Sequence, residues 1–440
     1  MLQQQVLKYG SIGLVLLSLV PALLLGHRKH HLRKAAAAQI TQQVQVTDGD
    51  KALEFLQWPA DLQAVRYEVE LFSKVPQNID SNKPVENAEY RNKHVYVNSL
   101  LLAKAVLDSY EGGQPMYFRV RSYDLDGNPS SPFTAPQLLQ SHLKTVTRNA
   151  PVPRPTYEDG KGSTLLYPVY AYTGNPGASQ YEVEVINRYP ENPDGIAPSK
   201  YRVFSEVTPL TDLYDKEARI GTYYWRVRGM DKAGNAVGQW SLPEKFTTEP
   251  SAKYNVAIFG DSISHGGGHM SFSPVDFSYS YAHYLNIPTI NLSESGDTSE
   301  MMVDRFEKDV LPFHVKYLLI MGGTNSLRGG VSAESVISDL REIQQKARAN
   351  GMTPILLTLA PVNPDNIQKA FDEPTASGWQ QAFAAVNSWI RTQPHIDTAA
   401  PFERMGSVLP TSMALDGLHG DANMKEIMAG VINRGLGKLM

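Results

Sequence analysis

Polar and apolar residues alternate with a period of two in four segments of the first 250 residues. The segments form two similar pairs, Tyr67-Glu-Val-Glu-Leu71 with Tyr117-Phe-Arg-Val-Arg121 and Tyr181-Glu-Val-Glu-Val185 with Tyr224-Trp-Arg-Val-Arg228. Alternation of this kind is typical of a β-strand with one face buried in a sandwich. The similarity of the pairs predicts an internal duplication, in which each copy is a β-sheet unit of about 100 residues.

A different pattern begins after Ser251, where short continuous apolar runs alternate with segments of helical character. A parallel sheet that is buried on both faces requires runs of this kind. They comprise residues 256–259, 289–292, 317–321 and 354–359. Right-handed connections between such strands predict a three-layer α/β/α domain, whose ligands gather at the carboxyl ends of the strands.

Helix start and stop signals lie between these runs. Asp297-Thr-Ser-Glu300 has the pattern of a capping box. Ser332 is the predicted N-cap of a second helix that ends at Asn350-Gly351. A third helix is predicted over residues 377–391.

Residues 9–26 are apolar and uncharged. As a helix, this segment would be about 27 Å long, close to the ~30 Å hydrocarbon core of a bilayer. It is long enough to span a membrane or to form the apolar part of a signal peptide, and a buried helix of a soluble domain is the remaining alternative. We predict a signal peptide or membrane anchor over residues 1–39 and an extracytoplasmic protein, anchored or secreted. The basic segment 27–34 argues for the opposite orientation, because the positive-inside rule would place it in the cytoplasm.

Composition narrows the set of partners. The formal net charge of −4 provides no basic field for a polyphosphate backbone, so nucleic acid is not an expected partner. The absence of cysteine excludes disulfides, thiolate catalysis and Cys-ligated zinc. We predict no metal ion and no cofactor, and the sequence leaves the oligomeric state open.

Two polar segments predict nucleophilic catalysis by a serine. Ser262 directly follows Phe259-Gly260-Asp261 at the end of an apolar run, and Asp416-Gly-Leu-His419 lies near the C-terminus. An alcohol is a poor nucleophile at neutral pH, so it needs an imidazole to accept its proton and a carboxylate to orient that imidazole. We therefore predict Ser262 as the nucleophile, His419 as the general base and Asp416 as its partner.

Ester hydrolysis passes through a tetrahedral oxyanion, which needs N–H donors fixed in advance. The Ser262 N–H, the Gly296 N–H and the side-chain amide of Asn325 all follow predicted strands, so the fold can bring them to one edge of the sheet. Gly296 also lets the backbone approach a substrate closely, because it has no side chain. These three residues form the predicted oxyanion hole.

Residues 254–440 resemble the SGNH (GDSL-type) hydrolase family. The resemblance implies a flavodoxin-like α/β/α fold, a serine that donates to the histidine of an Asp-x-x-His pair, and a three-donor oxyanion hole. It also implies a supporting, structural role for Asp261. Ser326 stands where the family has an aspartate, which leaves the hydrogen bonds of that aspartate open to question here. The four signature positions of the family fall on Ser262, Gly296, Asn325 and His419.

The two β-sheet copies resemble fibronectin type III modules. The matching residues are Trp58, Tyr67 and the Tyr-x-Arg-Val-Arg strand, and the second copy has Leu166 or Tyr167 in place of the tryptophan. The resemblance implies modules that act as spacers or dock ligands. The predicted multidomain chain thus consists of the N-terminal segment 1–39, the modules 40–148 and 149–250, and the hydrolase domain 251–440.

Three further features each allow two interpretations. The paired arginines in each copy are interpreted as an exposed, soluble strand face, with an anion-binding ladder as the alternative. His265, in Ser264-His-Gly-Gly-Gly-His269, is a candidate substrate-binding residue on a flexible wall of the cleft, with a histidine pair for a metal ion as the alternative. Arg328 is a candidate for binding an anionic or sugar-hydroxyl group, with a solvated charge at a helix end as the alternative.

These features together predict a serine esterase that acts through an acyl-serine intermediate. The expected substrate is a small ester or an acylated glycan, from which O-acetyl groups are removed, and the expected membrane contact is through the N-terminal segment. A lysophospholipase or thioesterase acting on lipids is the first alternative. The second is a catalytically silent protein that binds glycans or mediates adhesion.

Overall fold

The computed structural model of the protein describes residues 53–103, 107, 114–154, 161–251 and 254–439. The predicted apolar N-terminal segment therefore lies outside the described residues. Within them, no helix combines the length and the apolar character needed to cross a bilayer.

The first β-sheet copy has two antiparallel sheets that face each other. One sheet has the strand order β4-β1-β7 and the other β3-β2-β5-β6. Trp58 and Tyr67 lie in the core between the sheets, where their rings meet edge to face at 5.5 Å. The strands are β1 (Leu53–Gln57), β2 (Arg66–Phe72), β3 (Tyr90–Val95), β4 (Ser99–Ala103), β5 (Tyr117–Tyr123), β6 (Gln137–Leu138) and β7 (Leu143–Val146), and a 3₁₀ helix spans Leu139–Ser141.

The second copy repeats this arrangement. Its strands are β8 (Val152–Pro153), β10 (Val169–Thr173), β11 (Gln180–Ile186), β12 (Arg202–Thr208), β13 (Asp212–Tyr214), β14 (Gly221–Met230), β15 (Ala236–Val237) and β16 (Glu244–Thr248). Strand β9 (Lys161–Leu165) belongs to the sheet of the α/β domain. One sheet has the order β13-β10-β8, and in the other β14 pairs with β11, β15 and β16. Tyr170 packs on Trp225 in the core at a ring distance of 5.3 Å. The prediction that Leu166 or Tyr167 replaces Trp58 is wrong, because both lie in the core of the α/β domain.

Three of the paired arginines are buried and Arg228 is partly exposed, but all four form ion pairs with glutamates of the neighbouring strand, so both interpretations of them are wrong. Glu70 lies opposite Arg119 on neighbouring strands and accepts its Nε–H at 2.5 Å, and Glu184 accepts from Arg226 at 2.6 Å. Loops of each copy cover this face. Their carbonyl oxygens accept further guanidinium N–H groups, such as Arg226 Nη1 to Asn192 O at 2.9 Å. Each module therefore contains a buried ladder of glutamate–arginine pairs.

The α/β domain is built on a parallel sheet with the order β21-β20-β19-β17-β18. Counted within the domain, this is the order 2-1-3-4-5 of flavodoxin-like folds. Because the order reverses at β17, right-handed crossovers place helices on both faces of the sheet. The strands are β17 (Val256–Gly260), β18 (Thr289–Asn291), β19 (Tyr317–Met321), β20 (Thr353–Leu357) and β21 (His395–Ile396). All four strands predicted for this domain are confirmed, and β21 is additional.

The helices of the domain follow the predicted order, with one change of cap. They are α1 (Ser262–His265), α2 (Ser299–Asp309), α3 (Thr324–Arg328), α4 (Ala333–Ala349), α5 (Pro364–Phe371), α6 (Trp379–Ile390), α7 (Ala400–Glu403) and α8 (Ala422–Leu439), with 3₁₀ helices at Phe277–Tyr279, Tyr281–Tyr284 and Leu311–Phe313. Ser332 caps α4 as predicted, by accepting from the Ser335 N–H. The cap of α2 is Thr298 rather than Asp297, because the Asp297 carboxylate is bound to Arg305 instead.

A sixth strand of this sheet comes from the second copy. Strand β9 pairs in parallel with β18 at the edge of the sheet. The Leu166 N–H continues the pairing by donating to Asn291 O at 2.9 Å. The predicted boundary between residues 250 and 251 therefore does not separate the two sheets, because a segment of module 149–250 is part of the α/β sheet.

The first module contacts the α/β domain through the loop between β1 and β2. Leu62 O accepts from the Tyr279 hydroxyl at 2.9 Å, and Val65 O accepts from the Ser271 hydroxyl. Gln63 Nε2 donates to Asp421 Oδ2 at 3.4 Å. The two modules thus attach to the α/β domain in different ways.

Candidate active site

Ser262 is the first residue of α1, directly beyond the carboxyl end of β17. Asp261 is the N-cap and its Oδ1 accepts the Ile263 N–H at 3.0 Å. A side chain at Gly260 would bring its Cβ to 2.2 Å from Met321 O, so only glycine allows the two strands to lie this close. The backbone N–H of Ser262 lies in the first turn of α1, where helical N–H groups have no acceptor within the helix.

The structure brings Ser262, His419 and Asp416 into one chain of hydrogen bonds. Ser262 Oγ lies 2.9 Å from His419 Nε2. His419 Nδ1 lies 2.8 Å from Asp416 Oδ2. Since a carboxylate accepts only, Nδ1 carries the proton and Nε2 is left to accept from the serine hydroxyl.

The environment of Asp416 keeps its carboxylate charged. Burial acts to raise its pKa, but the nearby His419 and its hydrogen bonds outweigh burial and lower the pKa to about 2. Oδ1 accepts the backbone N–H groups of Leu418 and His419 at 2.9 and 2.7 Å. A carboxylate held in this way fixes the ring orientation of His419 and stabilises its protonated form.

Gly296 and Asn325 lie at the ends of the neighbouring strands. Gly296 has φ +101°, a conformation that favours glycine, and a Cβ added there would meet nothing within 4 Å. The space beside its backbone is therefore open to a substrate. Asn325 Nδ2 donates to Asp297 O at 2.9 Å, which fixes the side chain and leaves the second amide N–H for another acceptor.

Residues 258–426 match the family model described as GDSL-like Lipase/Acylhydrolase family. The α/β domain is a GDSL-type ester hydrolase. Thioesterase 1/protease 1/lysophospholipase L1 of Escherichia coli (strain K12) is 26% identical over 203 residues, which cover 44% of this chain and 91% of that protein.

Solved structures of similar proteins cover the same part of the chain. A GDSL-like lipase from Bacteroides thetaiotaomicron is 20% identical, with 42% of this chain and 88% of that chain covered and a TM-score of 0.33. An acetylxylan esterase from Geobacillus stearothermophilus is also 20% identical, with coverage of 42% and 95% and a TM-score of 0.33.

Sequence reasoning missed Arg305, which lies beneath the site of the hydrolase domain. Its guanidinium donates to Gly260 O at 3.2 Å, to Leu292 O at 2.7 Å and to Asp297 Oδ2 at 2.7 Å. It therefore ties together the ends of the two strands that precede Ser262 and Gly296. Burial raises the pKa of Asp297 to about 7, and the charge of Arg305 opposes that rise. Asp297 precedes the N-cap Thr298, so no helical spacing in the sequence connected it to Arg305.

Asp261 is the buried N-cap of α1, whereas Asp416 is the carboxylate bound to His419. Burial raises the pKa of its carboxyl to about 6, against the effect of the nearby Lys425. Lys425 Nζ donates to Ile263 O at 2.8 Å, and burial lowers the pKa of this lysine to about 8. Asp261 and Lys425 both bind the backbone of Ile263 in α1, and they therefore fix the position of the neighbouring Ser262.

Ser326 makes hydrogen bonds at the position where the family has an aspartate. Its hydroxyl accepts the Ser299 N–H at 2.9 Å. Ser299 Oγ in turn donates to Asp339 Oδ2 at 2.6 Å. The serine thus connects α3, which carries Asn325, to the start of α2.

The two candidate substrate-binding residues are both buried away from the opening of the site. Arg328 is 3% exposed and donates to Glu373 Oε2 at 2.7 Å, so it forms an internal ion pair. His265 is 1% exposed, because its ring lies between the Tyr167 carbonyl, the Ser295 hydroxyl and the Tyr214 ring. Among the described residues, no group of three or more acidic or histidine side chains is arranged to hold a metal ion.

Proposed function

We propose that the protein is a serine esterase that acts through an acyl-serine intermediate. The observation that carries this proposal is the chain of hydrogen bonds from Ser262 through His419 to Asp416 in a GDSL-type domain. His419 Nε2 accepts the hydroxyl proton while Ser262 Oγ attacks the ester carbonyl carbon. The protonated imidazole then gives this proton to the departing alcohol, which leaves the acyl group on the serine.

The oxyanion of each tetrahedral intermediate accepts hydrogen bonds from Ser262 N–H, Gly296 N–H and the free amide N–H of Asn325. Donors fixed in this way are each worth roughly 3–4 kcal/mol in acyl transfer. In the second half of the reaction, water attacks the acyl carbon and gives a proton to His419 Nε2, as the Ser262 hydroxyl does in the first half. The serine oxygen recovers its proton from the imidazole when the carboxylic acid leaves.

The proposed substrate is a polar ester, with O-acetyl groups on a glycan as the first candidate. On residues 261–265, 292–300 and 324–328, which carry Ser262 and the oxyanion donors, the partly exposed positions are polar or glycine, and Leu292 and Leu327 are buried. Met413, on the loop before Asp416, is a partly exposed apolar residue. A polar surround favours an acylated sugar, because a long acyl chain requires an apolar surface. The partly exposed positions of these three segments are Ser262, Glu294, Ser295, Gly296, Thr298 and Asn325.

A thioesterase or lysophospholipase is the second candidate. It is supported by the similarity to the Escherichia coli protein, whose name includes both activities. A catalytically silent glycan-binding protein is a weaker alternative. A binding protein has no need of an imidazole held between a hydroxyl and a buried carboxylate.

Hydrolysis of p-nitrophenyl esters by the whole chain tests the proposal. Ser262→Ala and His419→Ala should each lower kcat on the order of 10⁴- to 10⁶-fold. The exposed residues Ser407 and His142 provide matched controls, since Ser407→Ala and His142→Ala should leave kcat unchanged. An inactive wild-type chain that binds glycans would support the silent alternative and overturn the esterase.

A series of acyl chain lengths separates the two enzymatic candidates. We expect kcat/KM for the acetate ester to exceed that for the octanoate ester by about tenfold or more, because a polar surround offers the longer acyl chain no apolar surface to bury against. Release of acetate from an acetylated polysaccharide should also depend on Ser262. A preference for octanoate would favour the lipid hydrolase.

We further propose that the two copies are fibronectin type III-like modules and that residues 1–39 tether or export the protein to an extracytoplasmic site. The two-sheet arrangement of each copy and the contact between Trp58 and Tyr67 support the proposal that the copies are fibronectin type III-like modules. The apolar segment 9–26 supports the proposal that residues 1–39 tether or export the protein. Cell fractionation with a reporter at the C-terminus tests it, and a purely cytoplasmic signal from the full chain would contradict it.

A further inference from the structure

His265 connects the helix that starts with Ser262 to the loop that holds Gly296. Its Nε2 lies 2.8 Å from the carbonyl oxygen of Tyr167, and its Nδ1 lies 2.8 Å from Ser295 Oγ. A carbonyl oxygen only accepts, so Nε2 carries the proton and Nδ1 accepts from the Ser295 hydroxyl. Burial lowers the pKa of His265 to about 4, which keeps the ring neutral and this arrangement intact at neutral pH.

The loop around Gly296 depends on its neighbours for its position. Gly296 has no side chain, and the space on its Cβ side is open. On its C-terminal side, the loop is held by the bond between Asp297 and Arg305. On its N-terminal side, Ser295 is held by His265, and Glu294 N–H donates to Gly260 O at 3.1 Å.

The other end of this connection is anchored outside the segment that matches the family. Tyr167 directly follows β9 and lies at residue 167, whereas the family match begins at residue 258. Its hydroxyl donates to Asp309 Oδ2 at 2.5 Å, and the N–H of the preceding Leu166 donates to Asn291 O. The carbonyl that holds His265 is therefore fixed to both the sheet and helix α2.

We propose that His265 is a positioning residue of the esterase site, which transmits the fixed position of Tyr167 to Ser295 and so sets the distance between the Gly296 N–H and Ser262. This inference rests on the proposed function. An oxyanion donor matters most when charge develops in the transition state, so a displaced Gly296 should lower kcat and leave substrate binding intact. A displacement of about 1 Å can reduce the rate on the order of 100-fold.

Two substitutions in the whole chain test the inference. His265→Phe keeps an aromatic ring of similar size and removes both hydrogen bonds, and Ser295→Ala removes only the hydroxyl donor. We expect each to lower kcat for p-nitrophenyl acetate on the order of 10- to 100-fold, with KM changed by less than about threefold. The exposed His142→Phe is the matched control and should leave kcat unchanged.

The double variant separates positioning from general support of the fold. If His265 acts through Ser295, the two effects are not additive, and the double variant should be no slower than the slower single variant. A trifluoromethyl ketone, which forms a tetrahedral adduct with the serine, should lose affinity by the same factor as kcat/KM falls. Additive losses, or single variants with wild-type kcat, would overturn the inference, and Ser295→Ala alone decides the matter if His265→Phe does not fold.

The same assays keep this inference distinct from the proposed function. An inactive wild-type chain, or an active Ser262→Ala variant, would overturn the esterase itself. An active wild type and an inactive Ser262→Ala, together with a fully active His265→Phe, would overturn only the role of His265.

Discussion

The two β-sandwich modules are alike inside and differ in what they do for the hydrolase domain. Each contains the same buried ladder of glutamate–arginine pairs across two neighbouring strands. The first module contacts the hydrolase domain through backbone carbonyls of one loop, through apolar packing of Val65 and Leu125, and through the ion pair of Asp126 with Lys369. The second contributes a strand to the catalytic sheet and an anchor, Tyr167, beneath the site. Internal packing follows from the repeated sequence, whereas the role of each module follows from where it joins the third domain.

Truncation should give the largest difference between the two modules. A chain that starts at residue 149 keeps β9, and we expect it to fold and hydrolyse short esters. A chain that starts at residue 254 loses Leu166 and Tyr167, whose buried side chains contribute about 1.5–3 kcal/mol each, and exposes the edge of β18. Circular dichroism and ester hydrolysis measure the outcome, and a fully active chain from residue 254 would refute the asymmetry.

The contact of the first module should also depend on pH through Asp421, which binds Gln63. Burial raises the pKa of this carboxyl from its ordinary 3.8 to about 8. The folded state then holds a proton that the unfolded state releases, so stability is full below pH 4 and falls as pH rises to about 8. The loss amounts to up to about 6 kcal/mol.

Asp421→Asn isolates this effect, because asparagine resembles the protonated carboxyl. Urea unfolding at pH 5 and pH 8 should show a smaller loss of stability in the variant than in the wild type. Equal losses in the two proteins would mean that Asp421 is not the group that titrates.

Breaking the ladders should affect both modules equally. Arg119→Met and Arg226→Met each leave a buried glutamate with fewer partners, and we expect each to lower the free energy of unfolding by about 3 kcal/mol. Lys308→Met breaks an exposed pair with Glu217 and serves as the control, with a change of less than about 1 kcal/mol. Losses that differ widely between the two arginines would show that the modules are not equivalent inside.

Removal of single hydroxyl groups should give the smallest effects. Tyr167→Phe loses a bond to the Asp309 carboxylate and should cost about 2 kcal/mol. Tyr279→Phe loses a bond to the Leu62 carbonyl and should cost about 1 kcal/mol. Thermal unfolding measures both, and the opposite ranking would contradict the larger contribution that we expect from the bond to a carboxylate. Neither substitution removes the carbonyl that holds His265, but Tyr167→Phe removes one of its two anchors. Only Tyr167→Phe should therefore lower kcat, and by less than His265→Phe does.

The sequence was sufficient to predict the central sheet and the residues that meet around Ser262. The apolar runs of β17 to β20 are typical of strands buried on both faces, and polar residues follow them at the end where parallel strands collect ligands. Strand β9 was not predictable, because Lys161-Gly-Ser-Thr-Leu165 contains no apolar run and becomes a strand only beside the open edge of β18.

A single sequence does not determine which way a side chain points or which face of a sheet is covered by loops. Alternation showed that Arg119 and Arg226 share a face with other polar residues, but loops from distant positions decide that this face is buried. His265 and Arg328 lie close to the site in sequence, yet both side chains turn inward to partners that come from elsewhere in the chain. The partners Tyr167 and Glu373 carry no motif that would identify them.

The placement of β9 has a consequence for biosynthesis. The chain leaves the catalytic sheet after Leu165, builds the remaining strands of the second module, and returns to the sheet at Val256. The strands β10 to β16 of the second module therefore lie, along the chain, between two strands of one sheet. During translation, β9 leaves the ribosome long before its neighbour β18 is synthesised. Strand β9 therefore has no partner strand in the catalytic sheet until β10 to β18 have been made.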